Sequence, residues 1–348
     1  MPKFSVVLAT RDRPGLFSEA LNSVIAQTFS DFDVIVVNDG SSPEHEPEYE
    51  RVYSTAKEKI GDRLKVHRLV RRPKGHGQSY SINFGVDQAS GEYMCFLDDD
   101  DMWTDSGHLA RAATALDADQ PADLYMANQR AYLHNEEVPG PIWLDALEGE
   151  LLGHGVKPSA SGVFKLGAHD LMQTSGFCHL NCFVVRRELF QIIGGMDEGI
   201  RWECDRDLFL RLIDKSNIML FHPAFVSRHN VPDPAKTQNM TTSVSMLDKR
   251  LLQIRVLDKA ALFSAHPLIR AHALTHKGYA LKKIVEELMQ KGQWQLAAYY
   301  AREALGAAPT MKWAIYTLYC IFCSTFRQRR PISSGESKLS TTKLKNKP

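Results

Sequence analysis

The feature that most constrains this chain is a recurring unit. Short, nearly unbroken apolar runs each end in polar residues and are followed by a helical pattern. Phe4–Ala9, the FDVIVV run at 32–37, Leu64–Val70 and Glu92–Leu97 read as strands. A helix after Pro14-Gly15 places Leu16, Ala20, Val24 and Gln27 on one spacing, and further helices are expected over Ser79–Ala89 and 105–118. Strands apolar on both faces must be covered on both faces, so the pattern predicts βαβ units around a mostly parallel sheet. Ligands of such sheets bind beyond the carboxyl ends of the strands.

The polar residues collect at those ends. Thr10, Arg11, Asp12 and Arg13 follow the first strand, Asp39 the second, and Arg71 with Arg72 the third. Four consecutive aspartates, Asp98 to Asp101, follow the fourth. Carboxylates this close repel by a few kcal/mol per pair at protein-like dielectric. They are tolerated if some are protonated or if a cation sits among them. A hard divalent ion such as Mn²⁺ or Mg²⁺ takes oxygen ligands and shares them with substrate phosphates. An acidic helix N-terminus is the plainer explanation for the run alone, but it does not account for Asp39.

Downstream, Asp123–Leu133, Phe177–Val185 and Ile218–Val226 are expected to be strands, and Arg186–Ile193 and Asp205–Lys215 helices. The Gly-, Pro- and His-rich stretch 134–175 reads as loops around a short helix, and 227–243 as a polar loop. From Ser245 to Phe326 the chain reads as helical, and Lys282–Ala308 resembles a single tetratricopeptide-type helix pair, too little for a solenoid. The expected domains are 1–240 for the α/β part, 241–326 for a helical C-terminal region and 327–348 for a basic disordered tail.

The net charge of +1 over 348 residues provides no global field for nucleic acid or membrane. The balance is uneven: from Arg327 to Pro348 there are seven Lys/Arg and one Glu, leaving −5 for the remainder. The six cysteines are scattered, with neither a disulfide framework nor a four-ligand zinc pattern, as suits a reducing cytosol. The N-terminus has no signal-peptide layout, and no apolar run reaches the ~18 residues of a membrane span. The nearest, Trp313–Phe326, either packs as a terminal helix or rests on an anionic membrane face with Arg327, Arg329 and Arg330 beyond it.

The motifs FSVVLATRDRPGLFSEALNSVIAQTFSDFDVIVVNDGSS (4–42), GQSYSINFGVDQASGEYMCFLDDDDMW (77–103) and GGMDEGIRWECDRDLFLRL (194–212) resemble those of a family 2 glycosyltransferase in order and spacing. The likeness covers roughly residues 3–230. It implies the GT-A fold of nucleotide-diphospho-sugar transferases, a Rossmann-like mixed α/β sheet, here with a C-terminal helical extension. It also implies a metal-dependent inverting transfer, with Mn²⁺ or Mg²⁺ as cofactor. The donor is a nucleotide sugar, with UDP favoured by family frequency, and the acceptor a glycan or lipid-linked saccharide of the cell surface.

By the resemblance, Asp39 is similar to the aspartate that holds the nucleotide base, although Asn38 stands where the family has a second aspartate. Thr10, Arg11 and Arg13 line the base and phosphates. Asp98 and Asp99 meet the ribose, Asp100 coordinates the metal, and Asn83 supports the site. Asp205 aligns with the base that deprotonates the acceptor. Cys204 stands in place of the usual glutamate, and Glu203 is the alternative base if the register shifts. His229 is a candidate third metal or diphosphate contact. His179 and Asn181, on one face of the expected strand, are candidates for the acceptor. Gly75-His76-Gly77 reads as a turn over the nucleotide and 230–243 as a lid.

A cytoplasmic enzyme is expected, peripheral on the inner membrane face if its C-terminus makes contact there. The absence of Gln-x-x-Arg-Trp with multiple membrane spans points to single additions. Two rivals remain: a nucleotidyltransferase, for which ATRDRPG is a weak phosphate loop, and a non-catalytic glycan-binding scaffold, which would have no need to keep the carboxylates.

Overall fold

The computed structural model describes residues 1–117, 121–140, 142–174, 176–233 and 244–326. The expected basic tail, 327–348, and most of the expected lid, 234–243, lie outside the described residues.

Strands β1 (Phe4–Thr10), β2 (Phe32–Asn38), β3 (Leu64–Arg68) and β4 (Tyr93–Phe96) form a parallel block in the order β3-β2-β1-β4. β2 and β4 are buried along their whole length, which explains why their sequences do not alternate. Helix α1 (Pro14–Ile25) packs against α2 (Glu46–Ile60) through Phe17, Tyr49 and Tyr53, whose ring centroids lie 5.8–5.9 Å apart. Helix α3 (Gln78–Gln88) lies close on β1 and β2. A methyl group at Gly85 would meet Val7 Cγ1 at 2.5 Å and Val37 Cγ2 at 3.2 Å, so this approach needs a glycine.

Past β4 come a two-strand step and a reversal. β5 (Met102–Trp103) and α4 (His108–Leu116) precede β6 (Leu124–Leu133), which pairs with the two-residue β7 (Glu136–Glu137). The stretch 142–174 holds α5 (Leu147–Gly153), β8 (Phe164–Leu166) and α6 (Ala168–Gln173). β9 (Phe183–Arg186) runs antiparallel between β4 and β6. Its N-terminal end therefore reaches the same sheet edge as the carboxyl ends of its neighbours. After α7 (Arg187–Ile192) and α8 (Cys204–Lys215), β10 (Met219–Asn230) pairs parallel with β6 and antiparallel with β5 and β8.

Two expectations need correcting. The strand expected over Phe177–Val185 begins at Phe183, because a 3₁₀ turn occupies Leu180–Cys182, capped when the His179 side chain accepts from Asn181 N–H. The late strand does not stop at Val226. Pairing of Ser227–Asn230 with Gln129–Tyr132, and of Ser227 and Arg228 with β5, carries it through residues that polarity alone assigns to a loop.

The chain divides into two compact units after Lys277. The first holds the sheet together with α9 (Met246–Phe263), whose Lys259 bridges Asp197 (2.7 Å) and Asp207 (3.0 Å). Helix α10 (Pro267–Gln290) runs across the division. In the second unit α11 (Trp294–Ala307) packs on α12 (Met311–Phe326), with Trp313 Nε1 donating to Ala301 O at 3.0 Å.

Candidate active site

The edge reached by the ends of β1, β2, β4 and β10 and the start of β9 carries most of the residues singled out in the sequence. The loop after β1 is fastened to the loop after β2. Asp12 adopts the left-handed conformation (φ +53°), accepts from Ser42 N–H at 2.5 Å through Oδ1 and donates its own N–H to Ser41 Oγ at 2.9 Å. Asp39 N–H donates to Thr10 O at 2.9 Å. Thr10 itself is buried, with its hydroxyl 2.8 Å from Tyr49 Oη, and it props the loop from beneath.

Arg13 reaches across to the aspartates, with Nη2 2.5 Å from Asp99 Oδ1 and Nη1 2.8 Å from Asp100 Oδ2. Asp101 faces the other way. Its Oδ2 meets His229 Nδ1 (2.8 Å) and Asn181 Nδ2 (2.6 Å), and its Oδ1 accepts from Asn230 N–H (2.7 Å). Asn181 also accepts Asp98 N–H at 3.0 Å and is fully buried. It therefore clamps the aspartate loop from below, which corrects its expected contact with an acceptor. Gln78, at the start of α3, donates to Asp98 Oδ1 at 2.6 Å, and its Oε1 lies 3.8 Å from Cys204 Sγ on α8.

The electrostatics of the four aspartates diverge. Burial, then repulsion from Asp101 and Asp100, holds Asp98 well above the usual carboxylate range. Burial lifts Asp99 to about 7, against the pull of Arg13 and with the push of Asp100. Asp100 is raised by burial and by Asp101, with Arg13 and His229 opposing. Burial would raise Asp101 too, but the charge and hydrogen bond of His229 win and hold it low. Burial disfavours the His229 cation, yet Asp101 outweighs it and raises His229 to about 9.

One carboxylate oxygen from each of Asp98, Asp100 and Asp101 lies within 4.8 Å of the others, and Asp101, His179 and His229 form a second such group. This oxygen-rich set, with Asp99 Oδ2 buried and unpaired, fits a hard divalent cation. Buried Arg11 Nη1 is also left without a hydrogen-bond partner, a donor suited to an anionic group nearby.

Arg11 Nη2 donates to Arg72 O at 2.7 Å. Asp39 accepts from His76 N–H at 2.9 Å and from Gly77 N–H at 3.0 Å, and its Oδ1 is 2.7 Å from His76 Nδ1. The 72–77 segment thus lies over Asp39. Gly75, at φ +65°, has no room for a side chain between Arg11 Nη1 and Asp39 Oδ2.

At the opposite wall, Asp205 stands in the first turn of α8, with Oδ2 3.9 Å from His179 Nε2. Glu203 turns away: it accepts from Gln253 Nε2 at 3.0 Å and pairs with Arg206 at 3.2 Å. His179 lies 5.0 Å from the His229 ring, and Trp143 sits edge-on to both. Burial, then the His229 charge, lowers the His179 pKa and favours its neutral ring. Asn83 is half-buried and donates to Glu198 Oε1 at 3.0 Å. It exchanges hydrogen bonds with the Met196 backbone at 2.8 and 2.9 Å and so pins the turn that leads to α8.

Neither Gln78 nor Trp143 stands out in the sequence. Gln78 is the second residue of the 77–103 motif but is an ordinary polar helix start, and Trp143 lies in the weakly patterned 134–175 stretch.

A mixed sheet that gathers carboxylates and arginines at its strand ends has the layout of an α/β enzyme acting on phosphate-bearing ligands. Residues 5–194 match the model of "Glycosyl transferase family 2", more than half of the 348 residues, and the chain belongs to that family.

Among its relatives, a "PGL/p-HBAD biosynthesis glycosyltransferase" of Mycobacterium bovis is 26% identical over 66% of this chain and 73% of its own length. A "GalNAc(5)-diNAcBac-PP-undecaprenol beta-1,3-glucosyltransferase" of Campylobacter jejuni is 37% identical over 29% of this chain and 30% of its own. In fold the chain is similar to S. aureus TarS, with a TM-score of 0.62 at 18% identity, over 93% of this chain but only 53% of TarS. For TarS 1-349 in complex with UDP-GlcNAc the score is 0.61 at 18% identity, over 94% of this chain and 92% of that one. The mannosyltransferase PcManGT from Pyrobaculum calidifontis, in complex with GDP-Man and Mn2+, scores 0.57 at 17% identity, over 93% and 86%. At these identities the solved structures establish the GT-A-like fold. Several of its relatives are named for polysaccharide or glycolipid biosynthesis.

Proposed function

We propose that the protein moves a single sugar from a UDP-sugar to a hydroxyl of a glycan or lipid-linked acceptor, with inversion, in cell-surface polysaccharide synthesis. One observation carries this reading: Asp39, Arg13, Asp98–Asp101, His229 and Asp205, drawn from five separate segments, converge on one sheet edge.

In this reading Asp39 holds the base beneath the 72–77 segment, and Arg11 and Arg13 face the diphosphate. Asp98, Asp100 and Asp101, with His229 through its remaining ring nitrogen, would hold Mn²⁺ or Mg²⁺. The cation supplies charge neutralisation on the departing diphosphate. Asp205 takes the proton of the incoming hydroxyl. His179, neutral and beside it, limits the wandering of its carboxylate. Glu203, paired with Arg206 and Gln253, is the weaker candidate for the base. Asn181 and Asn83 position the aspartate loop and the α8 turn.

The direct test is turnover of a panel of UDP-, GDP- and dTDP-sugars with Mn²⁺. Release of UDP from one of them supports the reading. A pyrophosphate product would favour nucleotidyl transfer, and neither turnover nor nucleotide binding would leave a scaffold.

A further inference from the structure

Helix α12 is apolar on two sides. One side carries Trp313, Thr317, Cys320 and Cys323, all buried, and Trp313 and Thr317 both donate to Ala301 O of α11, at 3.0 and 3.2 Å. The other carries Met311, Ile315, Leu318, Phe322 and Phe326 at spacings of four, three, four and four residues, each 57–80% exposed. Those spacings keep them on one stripe of the helix. No Asp or Glu occurs between Met311 and Phe326, and Lys312 is the single charge. A solvated helix normally turns charged residues outward, so a continuous exposed apolar stripe marks a contact surface.

We propose that this stripe docks on an anionic lipid surface. The helix has 16 residues, about 24 Å at 1.5 Å per residue, which is short of the ~30 Å hydrocarbon core. No helix among the described residues is long and apolar enough to cross a membrane, so α12 would lie in the interface rather than span it. The sequence immediately beyond holds seven Lys/Arg against one Glu. Basic residues next to an apolar helix face form the two-part signal that anionic headgroups recognise.

The test uses the full chain and vesicles of phosphatidylcholine, alone or with one-third phosphatidylglycerol. Cosedimentation is expected only with phosphatidylglycerol and should weaken as salt rises. The double substitution Leu318→Asp, Phe322→Asp is expected to lower partitioning by at least ~10-fold, with the melting temperature unchanged. The triple exchange Arg327→Gln, Arg329→Gln, Arg330→Gln removes three of the seven basic charges beyond α12 and should also reduce binding. Wild type that stays in solution with both vesicles overturns the proposal, as does a double variant that binds like wild type. A dimer dissolved by the double substitution, without vesicle binding, overturns it in favour of self-association. Turnover of the nucleotide sugar in solution is expected to be the same in all three proteins, so this test fails or succeeds separately from the transfer reaction.

Discussion

Replacing Arg13 with methionine removes the guanidinium that bonds Asp99 and Asp100 while keeping much of the side chain's length. Its nitrogens lie 2.5 and 2.8 Å from the two carboxylates, and Asp99 is almost fully buried. Breaking a buried pair costs about 3–5 kcal/mol, because the remaining charge is left uncompensated. Arg13 is 40% exposed, so water screens part of this, and about 2–3 kcal/mol is expected.

The cost has a sign in pH. Burial, with repulsion among the aspartates, raises Asp98, Asp99 and Asp100 above their unfolded values, Asp99 to about 7. The native state therefore binds more protons than the unfolded chain from about pH 4 to about pH 7, and stability falls as pH rises through that window. Loss of Arg13 steepens the fall, so the deficit is largest above about pH 7 and shrinks below about pH 5. In EDTA near pH 8 the variant should melt about 4–10 °C below wild type by scanning calorimetry. Mn²⁺ should raise the variant's melting temperature more than that of wild type, since carboxylates freed from Arg13 bind the cation more tightly and each tenfold drop in Kd adds about 1.4 kcal/mol. A variant that melts with wild type in EDTA, or one whose deficit ignores Mn²⁺, would refute this reasoning.

Asp205→Asn should lower kcat for transfer by about 10²–10⁴ while the donor KM stays within about twofold, measured by steady-state kinetics. Glu203→Gln should leave kcat nearly intact, and the reverse outcome would exchange their roles. Asn181→Leu strands the Asp98 N–H and removes a donor from Asp101, so chemical denaturation should show a loss of about 2–4 kcal/mol. Unchanged stability would mean that the amide does not hold the aspartate loop. Gly75→Ala places a methyl group on Arg11 and Asp39 at φ +65°. The backbone strain alone, about 1–2 kcal/mol, predicts roughly tenfold weaker UDP binding in equilibrium dialysis. An unchanged Kd would contradict this.

The parallel half of the sheet was legible because β1, β2 and β4 are buried on both faces, so burial itself wrote the apolar runs. The reversal at β9 was not, since three apolar residues and an arginine look alike in either direction and only pairing with β4 and β6 sets the sense. The length of β10 was hidden for a related reason. Ser227 to Asn230 are polar, and their strand conformation comes from neighbours more than 90 residues distant in sequence. Helix α2 was missed because its buried face rests on Tyr49 and Tyr53 amid charged residues.

At the site, charge was easier to read than position. The aspartate run and Arg13 announce themselves, and they meet. Asn181 was expected to face outward from an i, i+2 pattern, but the 3₁₀ turn rotates it beneath Asp101. Asn83 was placed in the right neighbourhood, although its partner is the Met196 backbone.

The most direct measurement is titration calorimetry of UDP into the protein, with Mn²⁺ and with EDTA, for wild type and Asp100→Asn. Carboxylates gathered to share a cation with a diphosphate should give binding at least ~10-fold tighter with Mn²⁺, and the substitution should erase that difference. Equal affinity in Mn²⁺ and EDTA, unaltered by the substitution, would show that the aspartates serve the fold and not the donor.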